Sequence, residues 1–230
     1  MNIETANLVL NLDAESIDSY LGSGAKWYDL VHQDHYAFLV NNPAFDRRYG
    51  GCFDFNGKEY VVSLNLVEDF IYGNNEYSIE VWFKTNKDGT VVTELGHQSG
   101  LDWFCNQIEV VQGKIYIGTW TISGIEKLEL TKINPGEWQH VIITYDGSVL
   151  KGYVNGKIAA TKHNVVRLNP WSYSYGYYMA LGYCSKSHMG SAAHFRGAIS
   201  SFRLYNTSLG PEQVEQNYLA TKERHAIITA

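Results

Sequence analysis

The stretch "WQHVIITYDGSVLKGYVNGKIAATK", residues 138–162, limits how this chain can fold more than any other part of it. Apolar or β-branched residues recur at alternate positions, and two Gly-containing turns, "DGS" at 146–148 and "NGK" at 155–157, interrupt them. Period two is the side-chain period of a strand, whose successive side chains point to opposite faces. A Gly after Asp or Asn supplies the positive φ that tight hairpins require. The segment therefore predicts three consecutive antiparallel strands, with Asp146 and Asn155 as turn residues ahead of a glycine rather than as ligands.

The same pattern recurs along the chain and predicts thirteen strands, at 7–12, 52–56, 59–63, 77–85, 89–95, 106–112, 114–120, 127–131, 138–145, 150–155, 157–162, 177–183 and 197–206. Thirteen strands exceed what one flat sheet holds, so two packed sheets follow and the fold class is all-β. In "YSIEVWFKT" Ile79, Val81 and Phe83 share one face and Glu80, Trp82 and Lys84 the other, so Glu80 faces outward or into a groove. One helix is expected at 210–224, opened by Gly210 or Ser208 and Pro211, with Glu212 at its positive end and Lys222 and Arg224 in its last turn. Val214, Tyr218 and Leu219 give it a narrow apolar stripe. The least regular parts are 13–50 and 163–196. No linker, repeat or low-complexity tract divides the 230 residues, so a single domain over 1–230 is expected.

Charge and composition exclude several function classes. Lys plus Arg number 18 against 24 Asp plus Glu, without a basic run, which leaves no footprint for a phosphate backbone and argues against nucleic-acid binding. No apolar run reaches the roughly 18 residues of a membrane helix, so membrane insertion is not expected. Glu4, Asp13, Glu15 and Asp18 precede the first Lys at 26, the wrong charge order for a secretory signal, and the chain is expected to start at Met1. Three widely spaced cysteines, Cys52, Cys105 and Cys184, write neither a disulfide framework nor a zinc clasp and read as reduced structural thiols.

The ordered pieces "LVLNLDA", "GAKWYDL", "GGCFDFNGKEYVVS", "YSIEVWFKT", "GEWQHVIITYDGSVLKGYVNGK" and "FRGAISSFRLYNTSLGPEQVEQNY" carry a family resemblance over nearly the whole chain. In that order they resemble the concanavalin A-like lectin/glucanase superfamily, in its laminin-G-like branch. The most specific parts are Trp138 to Gly156 and the G-x-I-x-x-x-R-x-Y-N segment from Gly197 to Asn206. The resemblance implies a jelly-roll sandwich of two curved antiparallel sheets with a short C-terminal helix, whose concave face and rim loops are the usual ligand surface. Its "LDA" opening and W-x-D-L element resemble domains of tailed phages, large DNA viruses and bacterial surface proteins. The chain departs from these at "VHQDHYAF", where a Ser-Gly-Asn turn more often follows the W-x-D-L.

Hydrolases of the superfamily carry carboxylates at alternate strand positions, since glycoside hydrolysis needs two carboxyl groups about 5 to 9.5 Å apart. Here the only Asp/Glu pair two positions apart is Asp13 and Glu15, and "SIEVWF" carries the lone Glu80, so the expectation is a protein that is not an enzyme. No G-x-S-x-G occurs, and His32, Asp34 and His35 read as solvated loop residues. Calcium-binding relatives use rim-loop oxygens, which implies Asp102 and Asn106 in "GLDWFCN" as the calcium candidates. The richest recognition stretch is 169–190, where Trp171, Tyr173, Tyr175 and Tyr177 alternate with Ser and Gly. Tyr and Trp offer large rigid contact area with few torsions to freeze, and Ser and Gly offer adaptable hydrogen bonding. Trp103 and Trp120 are candidates of the same kind.

The resulting expectation is a non-enzymatic structural or interaction protein of a virus particle, made without a signal peptide and partnered by other virion proteins or by copies of itself. The alternative is a carbohydrate-binding module acting in adhesion or host recognition, with glycans as ligands. A glycoside hydrolase ranks below both.

Overall fold

The structure, a computed structural model, describes residues 2–63, 76–98, 101–121, 123–167, 177–184 and 193–226. In chain order its strands are β1 (Leu8–Asp13), β2 (Lys26–Tyr28), β3 (Tyr36–Val40), β4 (Ala44–Asp46), β5 (Cys52–Asn56), β6 (Tyr60–Ser63), β7 (Tyr77–Lys84) and β8 (Gly89–Gln98). They continue with β9 (Leu101–Val111), β10 (Lys114–Thr121), β11 (Gly124–Lys132), β12 (Trp138–Tyr145), β13 (Leu150–Val154), β14 (Lys157–Lys162), β15 (Tyr177–Leu181) and β16 (Arg196–Tyr205). Helix α1 (Pro211–Thr221) follows and tightens into a 3-10 turn over Lys222–His225.

The strands form two eight-stranded antiparallel sheets packed as a sandwich. Sheet A runs β14-β13-β12-β7-β16-β5-β4, and sheet B runs β11-β10-β9-β8-β15-β6-β3-β2. β16 is long enough to hold two partners on the side away from β7: β5 pairs with residues 196–199 and β1 with residues 201–205. The alternation read in β7 is observed, with Ile79, Val81 and Phe83 in the inter-sheet core. Ile108, Val110, Ile115, Ile117, Met179 and Leu181 meet them from sheet B. One end of the core is closed by Arg167, which pairs with the buried Glu94 carboxylate while Gln107 Nε2 donates to the other oxygen at 2.6 Å.

The turns behave as their residues dictate. Gln112 and Gly113, and again Asn155 and Gly156, have φ between 50° and 79°, as two-residue hairpins require. Asp146 Oδ1 accepts from the Ser148 and Val149 backbone N–H groups, and Asn155 Oδ1 accepts from His140 N–H. Both residues are engaged in turn and backbone bonds.

Expectations for two segments of the sheets are corrected. Segment 13–50 is not irregular: it supplies β2, β3 and β4, each only three to five residues long, too short for alternation to stand out. The Asp102–Asn106 stretch is not a loop, because β9 begins at Leu101 and pairs with β8 back to Gln98.

Sheet A's outer face is covered by α1 and the turn after it, and the cover rests on a buried polar network. The residues α1 buries are Val214, Asn217 and Thr221 rather than an apolar stripe reaching Leu219. Asn217 Nδ2 donates to Glu80 Oε2 at 2.6 Å and Thr221 Oγ1 accepts from Trp82 Nε1 at 2.9 Å. Glu80 is fully buried, and its other oxygen meets Arg203 at 2.7 Å and His140 Nε2 at 3.0 Å. Burial pushes the Glu80 carboxyl up, but the Arg203 guanidinium and the His140 contact outweigh it and hold it down at about 2. Arg203 also donates to Asn11 Oδ1 and to Asp13, and Asp13 is shared with Arg224. His225 stacks on Trp82 with centroids 3.9 Å apart. Burial and the nearby Arg224 charge lower its pKa to about 2, so it is a neutral ring. The three cysteines are free and buried, as expected of structural thiols.

Candidate functional site

Among the described residues, the outer face of sheet B gathers partly exposed rings around buried polar side chains. Its composition follows from strand parity. In β10, Ile115, Ile117 and Thr119 point inward, which turns Tyr116, Gly118 and Trp120 outward. In β3 and β6, Ala37, Leu39 and Val61 are core residues, so Tyr36, Phe38, Tyr60 and Val62 face out, each partly exposed.

Register shifts shape the middle of this face. β8 pairs Val92 with Ile108 and Thr93 with Asn106, which leaves Gln107 as an extra residue on β9. A bulge re-aims the side chains around it. Gln107 turns inward to Glu94, while Asn106 and Glu109 both reach the outer face although they are three residues apart. Asn106 Nδ2 donates to Glu109 Oε2 at 2.9 Å, and Thr93 Oγ1 lies 3.1 Å from Asn106 Oδ1 and 2.8 Å from the Tyr183 carbonyl. Lys127, on β11, ion-pairs with Glu109 Oε1. The Glu109 side chain is 1% exposed and that of Lys127 35%, so the ammonium is the solvent-facing end of the pair.

Aromatic rings flank this polar floor. The Tyr60 and Tyr183 rings are 5.0 Å apart, and Tyr183 lies 5.2 Å from the His194 ring. On the other side Tyr116 donates to Glu129 at 3.0 Å, and Lys114 pairs with the same oxygen at 2.8 Å. The Lys114 and Tyr116 hydrogen bonds lower the pKa of the exposed Glu129 carboxyl, the opposite of what a general acid needs. Gly118 is a glycine because β9 passes close by: a Cβ there would stand 2.7 Å from the Asn106 backbone carbonyl. A cavity of about 250 Å³ lies under the C-terminal cap, lined by Trp82, Trp138, Tyr218 and His225 among others. Its rings are spent on one another: Trp82 stacks on both His225 and Tyr218.

The sequence-derived candidates fall unevenly on this arrangement. Trp120 is on the outer face of β10, partly exposed and opposite Ile125. Trp103 and Asp102 are β9 positions paired with Gly96 and His97, and Tyr177 opens β15 opposite Gly96. Trp171, Tyr173 and Tyr175 lie outside the described residues. Asn106 is buried, its amide and carbonyl engaged by Glu109 and Thr93, and among the described residues no group of three metal-ligating side chains gathers. Sequence reasoning passed over Glu109, Lys127, Tyr60 and Tyr183. The signal was an acidic or basic residue interrupting an apolar alternation, "QIEVV" and "EKLEL", which becomes informative only once register pairs the two strands through β10.

A family model described as the concanavalin A-like lectin/glucanases superfamily matches residues 56–215, well over half of the chain. The chain belongs to this superfamily. A comparison with curated protein sequences finds no match. Among solved structures, this lectin-like domain is similar to domain 4 of AbnA, an extracellular GH43 arabinanase from Geobacillus stearothermophilus, in complex with arabinotriose. The TM-score is 0.65 at 21% identity, over 94% of this chain and 100% of that one. It is also similar to a Trypanosoma rangeli sialidase in complex with 2,3-difluorosialic acid, with a TM-score of 0.67 at 16% identity over 97% of this chain and 34% of that one. The binding domain of botulinum neurotoxin DC in complex with SialylT gives 0.65 at 13%, over 94% and 52%. The chain thus spans about half of the toxin structure and a third of the sialidase. At these identities the likeness is one of fold.

Proposed function

We propose that the chain is a carbohydrate-binding module whose ligand lies across the outer face of sheet B. The observation that carries this is the pairing, on the sheet face α1 does not cover, of partly exposed rings with a fixed polar floor. Tyr60, Tyr183, Tyr116 and Trp120 supply the rings, and the Lys127 ammonium, fixed by the buried Glu109 and Asn106 beneath it, supplies the polar contact. Rings offer flat apolar area to a sugar face, and a few fixed donors and acceptors set its orientation. Structural neighbours bound to arabinotriose and SialylT support a glycan reading of the fold. The module is read as non-catalytic, because its one pair of alternating carboxylates, Asp13 and Glu15, is held by Arg203 and Arg224, and Glu80 is sealed under α1 in an ion pair. A role as a virus-particle component ranks second, resting on the sequence resemblance alone.

Affinity electrophoresis and calorimetry against a panel of arabinans, xylans, glucans and sialylated oligosaccharides test the proposal. Retardation by at least one glycan is expected, weakened tenfold or more by Tyr183→Ala or Tyr60→Ala with the melting transition retained. No retention by any glycan, or binding indifferent to both substitutions, would overturn it.

A further inference from the structure

We infer that the ligand of this face is a linear oligosaccharide laid crosswise to the strands, with Tyr60 and Tyr116 at the two ends of its footprint; the inference rests on the glycan-binding reading above. Strand register carries it. Tyr116 pairs with Glu129 on β11 and with Glu109 on β9, and Glu109 pairs with Thr90 on β8. On the other side Leu181 of β15 pairs with both Val92 and Val61, and the Gly182 N–H continues that ladder to the Val91 carbonyl at 2.9 Å, level with Tyr60. Tyr60 and Tyr116 therefore stand on one row perpendicular to the strands. The sheet order β10-β9-β8-β15-β6 puts four inter-strand spacings between them, roughly 19 Å.

Exposed or partly exposed side chains occupy the interval between these ends. The Tyr60 and Tyr183 rings are 5.0 Å apart and the Tyr183 and His194 rings 5.2 Å, and beyond them Glu109 holds the Lys127 ammonium over the row. Thr93, Asn106 and Glu109 beneath them are at most 2% exposed, so the ligand meets the rings and the ammonium. Lys127 gives one of its three donors to Glu109 and keeps two for the hydroxyls of an interior unit. A sugar unit advances a chain by about one inter-strand spacing, so about four units fill the row and a disaccharide reaches only one end of it. Joining both ends in one ligand makes the second contact intramolecular, which raises affinity without any new group on the protein.

The test measures dissociation constants and stoichiometry by calorimetry for arabino-, xylo-, gluco- and sialo-oligosaccharides of two to six units, in the wild-type chain, in Tyr60→Ala and in Tyr116→Ala. For the series that binds, affinity is expected to rise at least tenfold from the disaccharide to the tetrasaccharide, with one tetrasaccharide per chain. Each substitution, at a partly exposed side chain and with the melting transition retained, weakens the tetrasaccharide at least tenfold, whereas the disaccharide responds to no more than one of them. A disaccharide bound as tightly as the tetrasaccharide, a tetrasaccharide indifferent to either substitution, or two tetrasaccharides bound per chain would overturn the inference while leaving a glycan-binding face in place. Binding of no series at any length would overturn both.

Discussion

Replacing Arg203 with Met tests whether the polar network under α1 holds the C-terminal cap to sheet A. The guanidinium is 1% exposed and makes three bonds, to Asn11 at 2.9 Å, Glu80 at 2.7 Å and Asp13 at 2.8 Å. Met fills a similar volume but leaves Glu80 buried with only His140, Asn217 and Tyr205 around it, while Asp13 keeps Arg224. Breaking a buried pair from one side costs about 3 to 5 kcal/mol, a third or more of the stability of many domains. For a chain of this size that lowers the melting temperature by roughly 6 to 20 °C. Urea unfolding followed by tryptophan fluorescence measures the loss directly. Because the penalty comes from the orphaned carboxylate, the double variant Arg203→Met with Glu80→Gln should be at least ~1 kcal/mol more stable than the sum of the single losses. A single variant within 1 kcal/mol of wild type, or strict additivity, would refute the reasoning.

Acid should weaken the cap in two stages. The folded pKa values of His225 and Glu80 are both depressed, to about 2 from ordinary values of 6.5 and 4.5, so the unfolded chain binds more protons and stability falls as pH falls. His225 acts from about pH 6.5 downward and Glu80 from about pH 4.5, and by pH 4.5 the histidine alone removes about 2 to 3 kcal/mol. The urea midpoint measured from pH 7.5 to 4.5 should decline, and His225→Phe should flatten that slope. Gly197→Ala is expected to cost at least ~2 kcal/mol in the same assay, because φ there is 155° and a Cβ would stand 2.2 Å from the Lys84 carbonyl oxygen. A loss below 0.5 kcal/mol would show that the backbone shifts freely at this position.

The architecture was readable wherever local chemistry and long-range packing agree. Asp146, Asn155 and their glycines act over three or four residues, and β7 and β12 are long enough for period two to show. β2 to β4 were not readable, because Trp27 and Ala37 declare themselves core positions only when β6 lies beside β3. The family-like segment from Gly197 to Asn206 has a physical meaning the alternation alone does not carry. Gly197 passes against the β7 backbone, Ile199 fills the core, Arg203 anchors Glu80 beneath the helix, and Tyr205 accepts from Asn217 of the helix itself. The site was the least legible part. Glu109 and Lys127 are eighteen residues apart and meet across β10, and the bulge at Gln107 that turns Asn106 toward Glu109 leaves no mark on composition or spacing.

Backbone amide chemical-shift mapping during titration with a bound neutral oligosaccharide tests the central claim most directly. Shifts should concentrate at Thr93, Asn106, Gly118, Lys127 and Tyr183 and spare Trp82, Asn155 and Tyr218. Shifts gathered around the aromatic cavity beneath α1, with the outer face of sheet B silent, would contradict the account.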